Sequence, residues 1–328
     1  MTHKPAYLHL LDKERGVFIK KRLSLQTQQP LWAIISRMRT TKYYNIAGHL
    51  LQLTADHATF SQLCNCQPFE VDATESGLKK DHREVLLQTE VIHHQSMPEG
   101  WKEECRQTEE GDEIACGFVG NQPAFRFFSH GLSAGWLVCS PDYRHATIAT
   151  ESLPQLALNN GMMVSYALAT ANRGTLLFHS SVVSRNQRAY MFLGPSGTGK
   201  STHTQLWLQH IEGSRLLNDD NPIVRIDSQG HAHVYGSPWS GKTPCYRNEH
   251  YPLGGIVRLS QAPYNAIRRM NPLESYATLL SSISGKRWDR DIADGLHESL
   301  NTLVTLSSVW YMECLPDKAA AIMTSETI

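Results

Sequence analysis

RAYMFLGPSGTGKS, residues 188–201, decides how the chain is read. The first six residues alternate around an apolar centre and predict a strand that runs directly into Gly194. The next eight, Gly194-Pro195-Ser196-Gly197-Thr198-Gly199-Lys200-Ser201, match G-x-x-x-x-G-K-[ST] in full, and residues 199–210 beyond them are helix-compatible. Strand, glycine-rich bend and helix in that order form a phosphate cradle. The glycines let several backbone N–H groups point at polyphosphate oxygens, and the helix N-terminus adds positive potential. Lys200 is placed to reach the β- and γ-phosphates, and the Ser201 hydroxyl to ligate Mg²⁺.

Working outward, residues 175–184 (TLLFHSSVVS) read as a strand, with a turn at Arg185-Asn186-Gln187 leading into 188–193. Downstream, residues 215–217 form a short strand leading into Asn218-Asp219-Asp220-Asn221-Pro222. Two adjacent carboxylates about 20 residues past Lys200 suit a metal-organising group and a proton acceptor. A hairpin follows at 223–226 and 233–235 around Asp-Ser-Gln-Gly. Then come a strand at 255–259, helices at 273–283 and 292–303, and a strand at 309–314. Interleaved strands and helices predict an α/β domain, with 162–171 as a buried helix near its start. Residues 1–155 read as a β-rich N-terminal domain of unknown role, and 156–328 as the catalytic domain. Short apolar runs at 31–35, 43–46, 49–53 and 146–150 predict strands there, and 125–128 with 135–139 a hairpin. Residues 99–113, with seven acidic and two basic residues, read as a solvated loop or hairpin.

From His179 to Asp220 the sequence resembles the kinase core of HPr kinase/phosphorylase and its relatives: a histidine-bearing strand, a turn, G-x-S-G-x-G-K-S, a helix and a strand ending in Asp-Asp. The form Gly194-x-Ser196-Gly197-Thr198-Gly199-Lys200 is also similar to ATP-dependent phosphoenolpyruvate carboxykinase. The resemblance covers roughly residues 160–235 well and the C-terminal third loosely. It implies a carboxykinase-type P-loop kinase domain with a mixed sheet, using ATP and Mg²⁺. It also implies an active-site histidine at His179 near the γ-phosphate, metal organisation by Asp219 with Ser201, and Asp220 as the base. Thr202 stands where the family has an acidic residue. The family's second glycine-rich segment is replaced by residues 235–248 (YGSPWSGKTPCYRN). The resemblance therefore supports phosphoryl transfer rather than HPr as its acceptor. In that substitute segment Lys242, ahead of Arg247, is the cation read as neutralising charge on the transferring group. Arg258, Arg268 and Arg269 read as solvated, and Trp288 and Trp310 as packing residues.

The expected activity is an ATP-dependent kinase acting on a hydroxyl acceptor, either a serine of a protein or peptide or a small metabolite. Carboxykinase-type lyase chemistry is the alternative. At 328 residues it leaves little room for a phosphoenolpyruvate-binding domain, and no Lys/His pair for a second metal precedes the loop. A non-catalytic ATP-binding module is the other alternative, though it need not retain every transfer group. Thirty-one Lys+Arg balance 31 Asp+Glu, which disfavours a nucleic-acid partner. No apolar run reaches the length of a membrane span, and no leader is evident at the start, so a cytoplasmic protein is expected. A homo-oligomer remains open. The seven cysteines contain no Cys-x-x-Cys, Cys64-x-Cys66 reads as a bystander pair, and His93-His94 and His231-x-His233 as surface histidines.

Overall fold

A computed structural model describes residues 7–12, 17–22, 38–72, 84–241 and 243–328. The strand expected at 31–35 and the residue Lys242 lie outside the described residues. Among those described, the chain is α/β with mixed sheets.

After a β1–β2 hairpin (Tyr7–Asp12, Val17–Arg22) comes a sheet of nine strands. They are β3 (Arg39–Ile46), β4 (His49–Asp56), β5 (Glu70–Val71), β6 (Val85–His93), β7 (Trp101–Glu109), β8 (Asp112–Val119), β9 (Gln122–Ser129), β10 (Leu132–Cys139) and β11 (His145–Thr150). Their order is β5-β3-β4-β6-β11-β10-β9-β8-β7, with β6 parallel to both β4 and β11 and the other pairs antiparallel. Tight turns at Ala47-Gly48, Glu110-Gly111 and His130-Gly131 each place two residues at positive φ, the geometry whose twist matches that of paired strands. The acidic stretch thus forms edge strand β7 and the turn into β8. Cys105 and Cys116, which face each other across those two strands, are joined by a disulfide, whereas their spacing alone marks no pair. Helix α1 (His57–Gln62) follows β4.

Helix α2 (Pro154–Thr170) lies on β10 and β11 and also touches the second sheet. Gly161 allows that approach, because a Cβ there would sit 2.8 Å from Ile148 Cδ1. The second sheet contains β12 (Thr175–Leu177), β13 (Ser180–Arg185), β14 (Arg188–Leu193), β15 (Arg215–Asp220), β16 (Ile223–Ile226), β17 (Ala232–Tyr235), β18 (His250–Gln261), β19 (Ala266–Arg269) and β20 (Val309–Cys314). The path β12-β16-β17-β18-β14-β13-β15 carries β20 beside β18 and β19 beside β20. Strands β14, β18 and β20 run parallel and the other pairs antiparallel. Helices α3 (Lys200–His210), α4 (Pro272–Ser282), α5 (Arg290–Leu306) and α6 (Lys318–Thr327) complete the order.

One buried apolar cluster runs through both sheets, from Leu51 and Phe127 through Tyr166 on α2 to Leu217 and Leu300. A second, with Phe192, Trp207, Val257, Met312 and Ala321, seats α3 and α6. Polar ties join the sheets as well: His49 Nε2 lies 2.9 Å from Thr175 Oγ1, and Arg225 Nη1 donates to the Ala47 carbonyl at 2.8 Å. Among the described residues no helix is long and apolar enough to cross a membrane.

Candidate functional site

The apolar residues of β14 end in buried Leu193, and the chain then bends through Gly194, Pro195, Ser196, Gly197, Thr198 and Gly199 before α3 begins at Lys200. Gly197 (φ 75°) and Gly199 (φ 104°) adopt the left-handed backbone that side chains disfavour. Thr198 Oγ1 donates to the Pro195 carbonyl at 2.7 Å and closes the bend. Gly199 caps α3 without a side chain of its own, so the first N–H groups of the helix stay available to an anion. Lys200 Nζ arches back to donate to the carbonyls of Gly194 (2.9 Å) and Pro195 (3.1 Å). Ser201 and Thr202 sit exposed on the first turn. The far side of α3 is fixed by Thr324 on α6, whose Oγ1 accepts from Trp207 Nε1 at 2.8 Å and lies 3.1 Å from His203 Nε2.

The expected single strand at 175–184 is instead two. Strand β12 pairs with β16, β13 pairs with β14 and β15, and Phe178 and His179 fall between them. Different partners pull the two halves apart, and the His179 N–H donates to the Ser282 carbonyl at 2.7 Å rather than to a strand. Freed from the ladder, His179 places Nδ1 3.2 Å from Asp220 Oδ1, while its buried Nε2 has no hydrogen-bond partner among the described residues. The two aspartates end β15, as the resemblance implies, but the strand runs three residues beyond the expected 215–217 and sets them in register with Ser180 and Ser181. Alternation along the strand sends them to opposite faces. Asp219 is 7% exposed and accepts from Ser181 Oγ at 2.6 Å. Ser181 Oγ in turn lies 2.6 Å from Thr204 Oγ1 on α3, which links the carboxylate to the helix of the glycine loop. Asp220 is half-buried, and its Oδ2 accepts from Asn221 Nδ2 at 2.7 Å.

Burial pushes the Lys200 ammonium below the ordinary lysine range, opposed by the carboxylates of Asp220, Glu109 and Asp219. The structure thus gathers the loop, Lys200, both aspartates and His179 at one end of the second sheet. Sequence reasoning missed Ser181 and Thr204, which read as unremarkable members of a strand and a helix, and it missed the β7–β8 turn. That turn is exposed, as expected of a solvated hairpin, yet it also touches the loop, with Ser196 Oγ donating to Glu110 Oε1 at 3.2 Å.

Residues 236–241 and 243–247 fold back on β15. Asn218 Nδ2 donates to Ser237 Oγ and to the Trp239 carbonyl, both at 3.1 Å. Gly241 comes so close that a Cβ there would stand 3.2 Å from Asp220 Cβ. Arg247 is turned away, 3.6 Å from Glu249, and Lys242 lies outside the described residues. Trp310 packs against the second core as expected, but Trp288 is exposed and packs into neither cluster. Arg268 and Arg269 are exposed as expected, whereas Arg258 is half-buried. His93 is held by Thr150 and Asp56, and His233 lies beside Asp227, so both have protein partners.

Among the described residues no group of three or more His, Cys, Asp and Glu is placed to hold a metal. Mg²⁺ needs fewer protein ligands, because it is commonly held by one or two carboxylates together with substrate phosphates. The buried Asp219 carboxylate, linked through Ser181 to Thr204 on α3, and the exposed Ser201 hydroxyl on the first turn of that helix are hard oxygen donors of the kind such an ion takes.

No family model matches the chain, and no curated protein matches it. Among solved structures, an HPr(Ser) kinase/phosphatase from Coxiella burnetii aligns with 45% of this chain and 91% of its own, at 8% identity and a TM-score of 0.28. That is a distant structural relationship and nothing finer.

Proposed function

We propose that the chain is an ATP-dependent kinase that transfers the γ-phosphoryl group to a hydroxyl acceptor. The observation that carries this reading is the meeting of Asp220, paired with His179, and the buried Asp219 with the lysine of a glycine-rich loop at one sheet end. Backbone amides of the loop and of the first turn of α3 hold the β- and γ-phosphates, with Lys200 released from its two carbonyls to them. Asp219 and Ser201 would hold Mg²⁺, which would supply charge neutralisation on the phosphates. Asp220 accepts the proton of the acceptor hydroxyl as its oxygen bonds to the γ-phosphorus, and the bond to the β,γ-bridging oxygen breaks with its electron pair leaving on ADP. His179 Nδ1 keeps the Asp220 carboxylate oriented. Such catalysis is mostly positioning and electrostatics. The acceptor is a serine of a protein or peptide, or a small hydroxylated metabolite.

The test is transfer of label from γ-labelled ATP, to water and to a panel of peptides and hydroxy metabolites. Asp220→Asn is expected to keep ATP affinity within a few-fold while transfer drops by ~10²-fold, and Lys200→Ala to lose ATP binding. Unchanged ATP affinity in Lys200→Ala refutes the phosphate site. A wild-type rate in Asp220→Asn refutes the base.

A further inference from the structure

Asp219, Asp220 and His179 occupy one side of β14; the other side holds a site to which the reaction above gives no role. Because β14, β18 and β20 are parallel, their carboxyl ends share one edge of the sheet with the glycine loop, where ligands of α/β folds settle. Leu193 is in register with Arg258, Arg258 with Tyr311, and Tyr311 with Arg268. Partners in register share a face, so an arginine, a tyrosine and an arginine form a row leading away from the loop. At a strand spacing of about 4.8 Å, Tyr311 stands roughly 10 Å from the strand that feeds the loop. A cleft of about 410 Å³ opens here, lined by residues 195–198 of the loop and by Arg258, Gln261 and Tyr311.

Three features of the row point to a ligand. Arg258 is half-buried and has no hydrogen-bond or ion-pair partner among the described residues, an expensive state for a guanidinium unless an anion joins it. Tyr311 is held in place: the Arg268 guanidinium lies 5.2 Å from its ring centroid and donates to both carboxylate oxygens of Glu274 at 3.0 and 2.9 Å. The cleft is also tied to the loop, with Gln261 Nε2 donating to the Gly197 carbonyl at 3.1 Å.

A triphosphate cradled by the loop has two ends, and the acids and His179 take the γ end. We propose that the cleft beside β18 and β20 takes the nucleoside end, with Arg258 meeting the α-phosphate and Tyr311, backed by Arg268, carrying the base. This rests on the phosphate-site reading above and adds to it the part of the site that distinguishes a nucleotide from a bare polyphosphate. An aromatic platform accepts any base face, so the cleft selects for a nucleoside rather than for one particular base.

Calorimetric titration of the full chain with ATP and with inorganic tripolyphosphate, both with Mg²⁺, separates the two readings. Wild type is expected to bind ATP at least tenfold more tightly than tripolyphosphate. Tyr311→Ala should weaken ATP about tenfold and leave tripolyphosphate within twofold, while Tyr311→Phe keeps the ring and the ATP affinity. Arg258→Gln should weaken both ligands, since both carry a third phosphate. An unchanged ATP-to-tripolyphosphate ratio in Tyr311→Ala overturns the cleft. If Lys200→Ala still abolishes both ligands in that case, the phosphate site stands without it. Wild-type affinity for both ligands in Lys200→Ala removes the phosphate site and the cleft together.

Discussion

Lowering the pH from 7 to 5 is expected to destabilise the folded chain through two histidines that burial keeps neutral. His203 is 3% exposed, edge-on to Phe192, with Thr324 as its polar partner, and burial pushes its pKa down to about 4. His49, buried between the sheets, is pushed down to about 3 by burial and by the charges of Arg225 and Arg173. In an unfolded chain both titrate near 6.5. Between the folded and unfolded values the unfolded state holds the extra proton, so stability is fully present above about pH 6.5 and is lost as the pH falls. At pH 5 an unfolded imidazole is protonated about thirtyfold over neutral while the folded one is mostly neutral, which costs roughly 2 kcal/mol for each histidine. His250, lowered by burial and by His233, acts in the same direction. Carboxylates lowered in the folded state, such as Asp56, lose their contribution around and below their unfolded pKa of about 4, outside this window. The assay is urea unfolding at pH 7 and pH 5, where a slope of about 3 kcal/mol per molar turns the loss into a midpoint shift on the order of 1 M. His203→Gln and His49→Gln should each remove about half of that shift. A wild-type midpoint that does not move, or a full shift surviving in the double variant, would refute the reasoning.

Ser181→Ala takes away the donor at 2.6 Å from the buried Asp219 carboxylate. It should cost about 2 kcal/mol in chemical denaturation and raise the Mg²⁺ concentration for half-maximal ATP turnover about tenfold. Gly199→Ala forces a side chain into a left-handed position (φ 104°) at the start of α3. The strain of about 1–2 kcal/mol should appear as roughly tenfold weaker ATP binding by calorimetry, with unchanged affinity counting against the loop. Thr324→Val leaves the rings of His203 and Trp207 without their shared hydroxyl. Unfolding should become easier by about 2–4 kcal/mol, and a loss under 1 kcal/mol would mean that the hydroxyl is dispensable.

The loop and its flanking elements were legible because their signals are local: apolar alternation in 188–193, then glycines where the backbone turns left-handed. What escaped depends on partners distant in sequence. TLLFHSSVVS contains nothing to mark a break, and the division at His179 comes from β16 claiming one half while β14 and β15 claim the other. Asn218-Asp219-Asp220 has the composition of a turn, yet pairing with Ser180–Val182 across β13 holds it in the ladder, tertiary context overriding propensity. The acidic residues near Glu110 carry the pattern of a solvated hairpin, and only the packing of the first sheet's edge brings them onto Ser196. Arg258 was indistinguishable from a surface arginine until β18 was seen beside β14.

Helix α2 shows where the chain does not tolerate cutting. Its buried residues Leu158, Met162 and Tyr166 belong to the cluster that also contains Phe127 and Ile148 of the first sheet. A fragment beginning at residue 156 would carry that helix away from its cover and leave a greasy flank bare to water. Aggregation on expression would then report the missing sheet rather than a defective phosphate loop, so work on the loop in isolation calls for the whole chain.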